Sequence, residues 1–340
     1  MNRRPTVADI ARELNISKAT AAAALSGRGG NTRVGPEMIA RVQEAARRMN
    51  YRTNAGAQAI SRRRFNTIGF FVAKKRADDF SGSNQIPLSI VDAAEKLGQT
   101  VLLVCIPTPI AETPVIPRSL KENCLDGLII QNTMALSPEF HQAIESSQVP
   151  VVYMNEKAPT NSVYVDDVET GRVMTRHLIE RGFSRIAVLA PATRFPHYSA
   201  ADRVQGYLET ITKAGLEPIV WNLPTELWRD QVRAALQSPN RPDAIFCTDD
   251  GRALLLQRIL YDLRLRVPED IAIAGCDDEV LAMHSAVPLT TLHIPFEAMA
   301  RTSVRLLMDL IESPGSLPSV VFQPELVVRA STQRVASQMN

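Results

Sequence analysis

The sequence predicts an all-α helix-turn-helix headpiece followed by an α/β body of two doubly wound parallel-sheet subdomains. Three observations carry that expectation. Residues 1–66 hold 13 Lys+Arg against 4 Asp+Glu, a net of +9, whereas the remainder holds 25 against 32. Short, capped, apolar-periodic segments crowd the basic end. Beyond it, near-continuous apolar runs alternate with helical patterns, the signature of parallel strands covered on both faces.

In the headpiece, Thr6-Val7-Ala8-Asp9 reads as a capping box, with the Thr6 hydroxyl and the Asp9 carboxylate serving orphan N–H groups. Val7, Ile10, Ala11 and Leu14 recur at helical spacing. Asn15 tolerates the positive φ of a tight turn. Ser17 caps a second helix, and Lys18 to Leu25 is almost all alanine, the best helix former. Two short helices joined this way form a helix-turn-helix pattern. A third helix starts at Gly35-Pro36-Glu37, where proline loses no hydrogen bond, and Ile39, Val42, Ala46 and Met49 form its apolar stripe. Helix pairs also occur in ordinary all-α domains. The charge asymmetry decides here for a head that touches phosphate.

Strands are expected at Thr67 to Ala73, Thr100 to Ile106, Cys124 to Ile130 and Val149 to Met154. They continue at Ser162 to Val165, Ile186 to Ala190, Ala244 to Thr248 and Ile271 to Gly275. Helices are expected at Ser89 to Leu97, Asp167 to Arg181 and Glu297 to Ile311. One sheet is expected to end near Asn155 and another to start near Ile186. The domain expectation is 1–53 for the headpiece, 54–66 for a hinge and linker, and 67–340 for the body. Its lobes are roughly 67–158 plus 293–322, and 159–292 plus 323–340.

The headpiece residues Thr6-Val7-Ala8-Asp9-Ile10-Ala11, Ile16-Ser17-Lys18-Ala19-Thr20 and Asn50-Tyr51-Arg52-Thr53-Asn54-Ala55 resemble the LacI/GalR family of bacterial transcription regulators. The likeness continues through Leu125-Asp126-Gly127-Leu128-Ile129, Gly182-Phe183-Ser184-Arg185-Ile186-Ala187, Asp202-Arg203-Val204-Gln205-Gly206-Tyr207 and Gly275-Cys276-Asp277-Asp278. With Val267-Pro268-Glu269-Asp270 and Leu289-Thr290-Thr291-Leu292 in the same order, it covers nearly the whole chain. It implies a body of the periplasmic-binding-protein type, an operator-binding repressor and a small-molecule effector, commonly a sugar or its derivative. It also implies a hinge helix over Asn54 to Ser61 that enters the minor groove, with Ile60 as the apolar wedge between base steps.

On that likeness the candidate DNA contacts are Thr6, Ser17, Lys18, Ala19, Thr20, Arg28, Arg33, Asn54, Ala57 and Ile60. Lys18 and Thr20 can hydrogen-bond, and Ala19 can touch a thymine methyl. Arg28 and Arg33 suit phosphate contact. The family pattern usually has a polar pair where Ala22 and Ala23 stand, so readout is expected to be partly apolar.

In open α/β sheets ligands bind beyond the carboxyl ends of strands. That rule and the family resemblance together give the effector candidates Phe80, Asn155, Arg203, Trp228, Asp249 and Asp277, with Arg203 as a cleft arginine implied by the resemblance. Arg203 would clamp a hydroxyl or carboxylate, and Asp277 and Asp249 would accept from hydroxyls. The alternatives are that Arg203 pairs with Asp202, that Trp228 is core, and that Asp250 and Asp278 cap helices. The pairs Asp166-Asp167, Asp249-Asp250 and Asp277-Asp278 sit at strand-to-helix junctions, where carboxylates cap.

No catalytic, metal or phosphate-loop motif stands out, so neither an enzyme nor a cofactor is expected. Cys105, Cys124, Cys247 and Cys276 lie in or beside apolar runs and read as buried reduced thiols. The polar N-terminus and the lack of a spanning segment suit a soluble cytoplasmic protein without a membrane partner. No leucine heptad follows Thr332, so a homodimer is expected. The alternative is a solute-binding protein without a DNA function.

Overall fold

Asp9 and Ser17 set where the first two helices begin. The computed structural model describes residues 4–26, 34–53, 56, 59, 64–73, 85–106, 117–122, 124–131, 138–192, 197–224 and 228–333. Helix α1 spans Val7–Glu13, and Asp9 Oδ2 accepts from the Thr6 backbone N–H at 2.9 Å and from its hydroxyl at 2.7 Å. The chain turns at Asn15, φ 52°, and Ser17 Oγ accepts from the Thr20 N–H at 3.0 Å at the start of α2, Lys18–Ser26. Helix α3, Pro36–Arg48, follows Gly35 with proline in its first turn. Ile10, Ala24, Val42, Ala45 and Ala46 close a small core, with Leu14, Ile39, Met49 and Tyr51 around it. In the expected hinge, Gly56 and Ala59 are helical.

Residues 66–340 form a separate unit. In chain order it contains β1 (Thr67–Ala73), α4 (Gln85–Glu95), β2 (Thr100–Ile106), α5 (Arg118–Lys121), β3 (Gly127–Gln131) and α6 (Pro138–Ser146). Next come β4 (Val151–Met154), β5 (Ser162–Val165), α7 (Asp167–Glu180), β6 (Ile186–Ala192), α8 (Tyr198–Lys213) and β7 (Ile219–Pro224). Then follow α9 (Trp228–Leu236), β8 (Ala244–Cys247), α10 (Asp250–Asp262), β9 (Ala272–Ala274), α11 (Val280–His284) and β10 (Thr291–His293). Helix α12 (Phe296–Glu312) and strands β11 (Val320–Phe322) and β12 (Glu325–Val327) end the regular structure.

The first sheet has the order β11-β5-β4-β3-β1-β2 and the second β7-β6-β8-β9, both parallel throughout. β10 and β12 pair antiparallel in a two-stranded ribbon. As expected, α12 returns to the first sheet, against β3, β4 and α4. The first sheet nevertheless extends beyond Asn155: β5 pairs with β4, and β11 with β5. The chain segment to Val165 thus belongs to the first sheet, beyond the expected lobe limit at residue 158. A ladder partner decides this, and local pattern does not reveal partners.

β3 and β8 are buried along almost their whole length. The edge strand β2 is not: Leu102 and Leu103 are exposed, as are Leu88 and Val91 on α4. Cys105 lies on the same strand and is also exposed, which corrects the expectation of a buried thiol. An edge strand shares an apolar composition with central ones while having only one neighbour. Cys247 and Cys276 are buried, Cys124 is half-buried, and all four are free thiols.

Candidate functional site

Two glycines bring the polar centre of the body together. Helices α7 and α8 cross at Gly171 and Gly206. A Cβ on Gly171 would collide with the Arg203 carbonyl, and one on Gly206 with the Val168 carbonyl. One turn before each glycine stand Asp167 and Arg203, and the close crossing lets them meet. Arg203 Nε donates to Asp167 Oδ1 at 2.7 Å. Its Nη1 donates to the Thr248 carbonyl at the end of β8 and lies 3.6 Å from Asp277 Oδ1, beyond β9.

The strand order explains the location. Chain connections leave β6 toward β7 and β8 toward β9, in opposite directions, which opens a crevice at their carboxyl ends. Arg203 reaches the carboxyl end of β8, on one side of that switch point. Its pairing partner is Asp167, not Asp202, which instead holds Lys157 at 2.7 Å.

The adjacent aspartates divide their work. Asp166 caps α7 by accepting from the Glu169 N–H at 3.0 Å, while Asp167 turns inward and is 1% exposed. Asp249 caps α10 by accepting from the Arg252 N–H at 2.9 Å, and its other oxygen pairs with the Arg252 guanidinium. Both oxygens of this expected effector acceptor are therefore engaged by its own helix. Asp250, expected to be a cap, instead accepts from the Thr291 hydroxyl at 2.7 Å and the Glu279 N–H at 2.9 Å. Burial pushes its carboxyl up to about 6. It ties α10 to β10 and to the start of α11.

The third pair, unlike the first two, caps no helix, since Glu279 is the N-cap of α11. Asp278 binds Arg329 at 2.6 Å and His293 Nδ1 at 3.1 Å. Asp277 has φ 117° and Asp278 φ 55°, a region that side chains other than glycine seldom enter. Such outliers concentrate where function constrains the backbone. Asp277 is held there by its N–H to the Leu292 carbonyl at 2.9 Å, and burial raises its carboxyl well above the usual range despite Arg203 opposite.

Asn155, φ 64°, ends β4 on the first lobe. Its carbonyl accepts from His197 Nε2 at 2.8 Å, while His197 Nδ1 accepts from the Ser199 N–H at 3.3 Å. This pattern fixes the proton on Nε2, and burial lowers the imidazole pKa, so His197 is a neutral link between the lobes. The hydroxyl of the next residue, Tyr198, is buried against the Asp167 carboxylate, and burial raises its pKa.

Trp228 offers no stacking face. It is 8% exposed and belongs to the second-lobe core with Leu189 and Val232. Phe80 lies outside the described residues, as do Arg28, Arg33, Asn54, Ala57 and Ile60. The structure thus brings Arg203 and Asp277 together, with Asn155 joined through His197. Sequence reasoning missed Asp167, His197 and Tyr198. Asp167 carried a signal: with Gly171, Met174 and Leu178 it shares the buried face of α7 at helical spacing.

On the headpiece, Ser17, Lys18 and Ala19 are exposed at the start of α2 and Thr20 is half-buried. Ala22, set aside in the sequence reading, is exposed one turn beyond Lys18. Ala21 and Ala24 face the core. The outward face is therefore small and apolar between polar ends, and the Thr6 hydroxyl is already bound to Asp9. Among the described residues no cluster of His, Cys, Asp and Glu could hold a metal ion, and no helix is long and apolar enough to cross a membrane.

The periplasmic binding protein-like domain model matches residues 175–332. The chain is similar to the HTH-type transcriptional regulator CelR of Thermobifida fusca, at 27% identity over 97% of this chain and 98% of that protein. It is 25% identical to the HTH-type transcriptional repressor PurR of Aliivibrio salmonicida, over 97% and 99% of the two chains. The ribose operon repressor of Escherichia coli is 25% identical over 91% and 94%. These relatives are transcription regulators, not enzymes. Among solved structures, the lac repressor dimer bound to operator and an anti-inducer matches with a TM-score of 0.79 at 22% identity, covering 98% of this chain and all of that one. The CelR–cellobiose complex matches with a TM-score of 0.65 at 25% identity, over 96% of this chain and all of that one.

Proposed function

The chain belongs to the LacI/GalR family, and from that premise we propose that it is a cytoplasmic, non-enzymatic repressor whose operator affinity is set by a small molecule. Residues 1–53 grip DNA, 54–66 form the hinge, and 67–340 bind the effector and pair with a second copy. The observation that carries this reading is the Arg203–Asp167–Asp277 cluster. It is a buried, charged centre at a sheet switch point, in a chain whose other unit is a basic helix-turn-helix.

Lys18, Ala19, Thr20 and the exposed Ala22 form the groove face of α2, with Ser17 as its cap. Asn54, Ala57, Ile60, Arg28 and Arg33 remain the proposed hinge and phosphate contacts. Arg203 and Asp277 hold the effector from the second lobe, with Asn155 and Phe80 on the first. Polar groups of both kinds around one guanidinium suit a polyhydroxylated ligand, as a sugar or sugar derivative is. The exposed apolar residues Leu88, Leu102 and Leu103, and on α10 and α11 Tyr261, Val280 and Leu281, support homodimer formation.

Ligand closing the cleft shifts one lobe against the other and alters the spacing at which two hinges meet the minor groove. The coupling is reciprocal, so DNA changes effector affinity by the same factor. Selection of duplexes from a genomic library by the full chain tests the reading. A palindromic consensus with affinity falling steeply with salt is expected. Removing residues 1–62 abolishes DNA binding and leaves ligand binding intact. A chain that selects no DNA sequence is the solute-binding alternative, which the match over residues 175–332 would equally suit.

A further inference from the structure

The segment Gly275 to Glu279, between β9 and α11, carries Asp277 to within 3.6 Å of Arg203 Nη1. It does so against the preference of its own backbone, because Asp277 and Asp278 both have positive φ, 117° and 55°. Neither is glycine. The conformation has to be imposed from outside the segment.

One residue grips the segment at both ends. Asp250 is fully buried in the first turn of α10. Its N–H donates to the Cys276 carbonyl at 2.8 Å, just before the two left-handed residues. Its Oδ2 accepts from the Glu279 N–H at 2.9 Å, just after them. Its Oδ1 lies against the bare Cα of Gly275, where a Cβ would collide with it. The same oxygen accepts from the Thr291 hydroxyl at 2.7 Å, and Thr291 Oγ1 takes the Asp278 N–H at 3.3 Å. The adjacent Asp249 makes no such contacts, since both its oxygens turn back to Arg252.

We propose that Asp250 is the positioning residue of the effector site. By holding the segment on either side of Asp277, it fixes the left-handed backbone that aims the Asp277 carboxyl at Arg203. Asp250 acts through Asp277 and not on the ligand itself. An asparagine can keep this grip: its oxygen accepts from Glu279, and its NH2 donates to Thr291 Oγ1, a hydroxyl that can rotate to suit. An alanine keeps only the main-chain bond to Cys276. The inference rests on the regulator reading only in assigning Asp277 to the effector.

The first test needs no ligand. Cys276 and Cys247 are both buried free thiols, but only Cys276 lies within the segment. The full chain is treated with a thiol reagent in native buffer, and labelling of each cysteine is followed by peptide mass spectrometry. Asp250→Ala is expected to label Cys276 about tenfold faster than the parent chain, with Cys247 unchanged, because the opening is local. Asp250→Asn is expected to keep the parent rate. Gly275→Ala displaces the same carboxyl by another route and should behave as Asp250→Ala, which covers the case that the latter does not fold. If Cys276 and Cys247 accelerate together, Asp250 merely supports the lobe as a whole and the proposal fails. It fails too if Cys276 stays protected in both variants.

Binding gives the second readout, in thermal unfolding and calorimetry of the full chain with ribose, glucose, galactose and gluconate as probes. For a probe that binds, Asp250→Ala and Asp277→Ala should each weaken affinity at least about tenfold, and the double variant no further, since both remove the same contact. Asp250→Asn should bind as the parent does. Losses that multiply in the double variant overturn the proposal. Selective labelling of Cys276 with none of the probes bound supports the grip and counts against the sugar reading alone.

Discussion

The headpiece and the body use charged side chains in opposite ways. On the headpiece the pairs are exposed: Arg12–Asp9 at 3.2 Å and Arg47–Glu44 at 2.6 Å each lie three residues apart on one helix, and Arg48–Glu13 ties α3 to α1 at the surface. In the body, Arg203 gathers Asp167, Thr248 and Asp277 from three distant segments and buries them. Exposed pairs of the first kind contribute about 0–1 kcal/mol. Breaking one of the second kind strands a charge. The headpiece is therefore free to spend its basic residues on phosphate, while the buried charges around Arg203 are committed to one geometry that a ligand can read.

Removing the hub gives the largest contrast. Arg203→Ala is expected to destabilise the body by about 3–5 kcal/mol, because Asp167 and Asp277 remain buried without it. Denaturant unfolding followed by tryptophan fluorescence at Trp221 and Trp228 reads this directly. A loss below about 1 kcal/mol would place the cluster with the surface pairs.

The next test uses pH. Asp250 has its carboxyl pushed up to about 6 by burial. In the folded state it holds its proton more tightly than in the unfolded chain. Its contribution to stability is therefore full below the unfolded value of about 4 and is lost as pH rises through the folded one. Asp250→Asn should gain stability relative to the parent chain between pH 5 and 7. A difference that stays flat over that window would contradict a buried, protonatable Asp250.

The headpiece responses are smaller. Asp9→Ala loses the capping box at Thr6 and is expected to cost about 1 kcal/mol in helix stability. Circular dichroism during thermal unfolding should show the headpiece melting earlier and the body unchanged. Lys18→Ala should leave stability alone, weaken DNA binding and, if Lys18 meets phosphate, reduce the salt slope by about one unit. An unchanged slope would assign Lys18 to a base edge or to no contact.

The same contrast separates what the sequence made legible from what it did not. Capping residues act within four positions, so Thr6, Asp9, Asn15 and Ser17 announced α1, the turn and α2 with their boundaries nearly correct. Continuous apolar runs announced the parallel strands. Partnership was less visible. β5 gave a strand signal but not its place in the first sheet, and β2 gave no sign of being an exposed edge.

The aspartate pairs show the limit most clearly. Asp166-Asp167 and Asp249-Asp250 are the same dipeptide at the same kind of junction. In each, the first caps the helix and the second turns inward. The helical face of Asp167, shared with Gly171 and Met174, was the one usable clue, and the glycine crossing that exploits it is a tertiary fact. Arg203 and Asp277 were found through family likeness, whereas Trp228 and Asp249 show where likeness to a position outran the local environment.

Coupling between cleft and DNA is read from the operator affinity of the full chain. The selected duplex would be titrated with protein by fluorescence anisotropy at fixed salt, with and without a saturating amount of the ligand that stabilises the body. A change in affinity of about 5–150-fold, in either direction, is the predicted result. An affinity that does not move while the body is demonstrably saturated would contradict it, leaving a DNA-binding unit and a ligand-binding unit that share a chain without communicating.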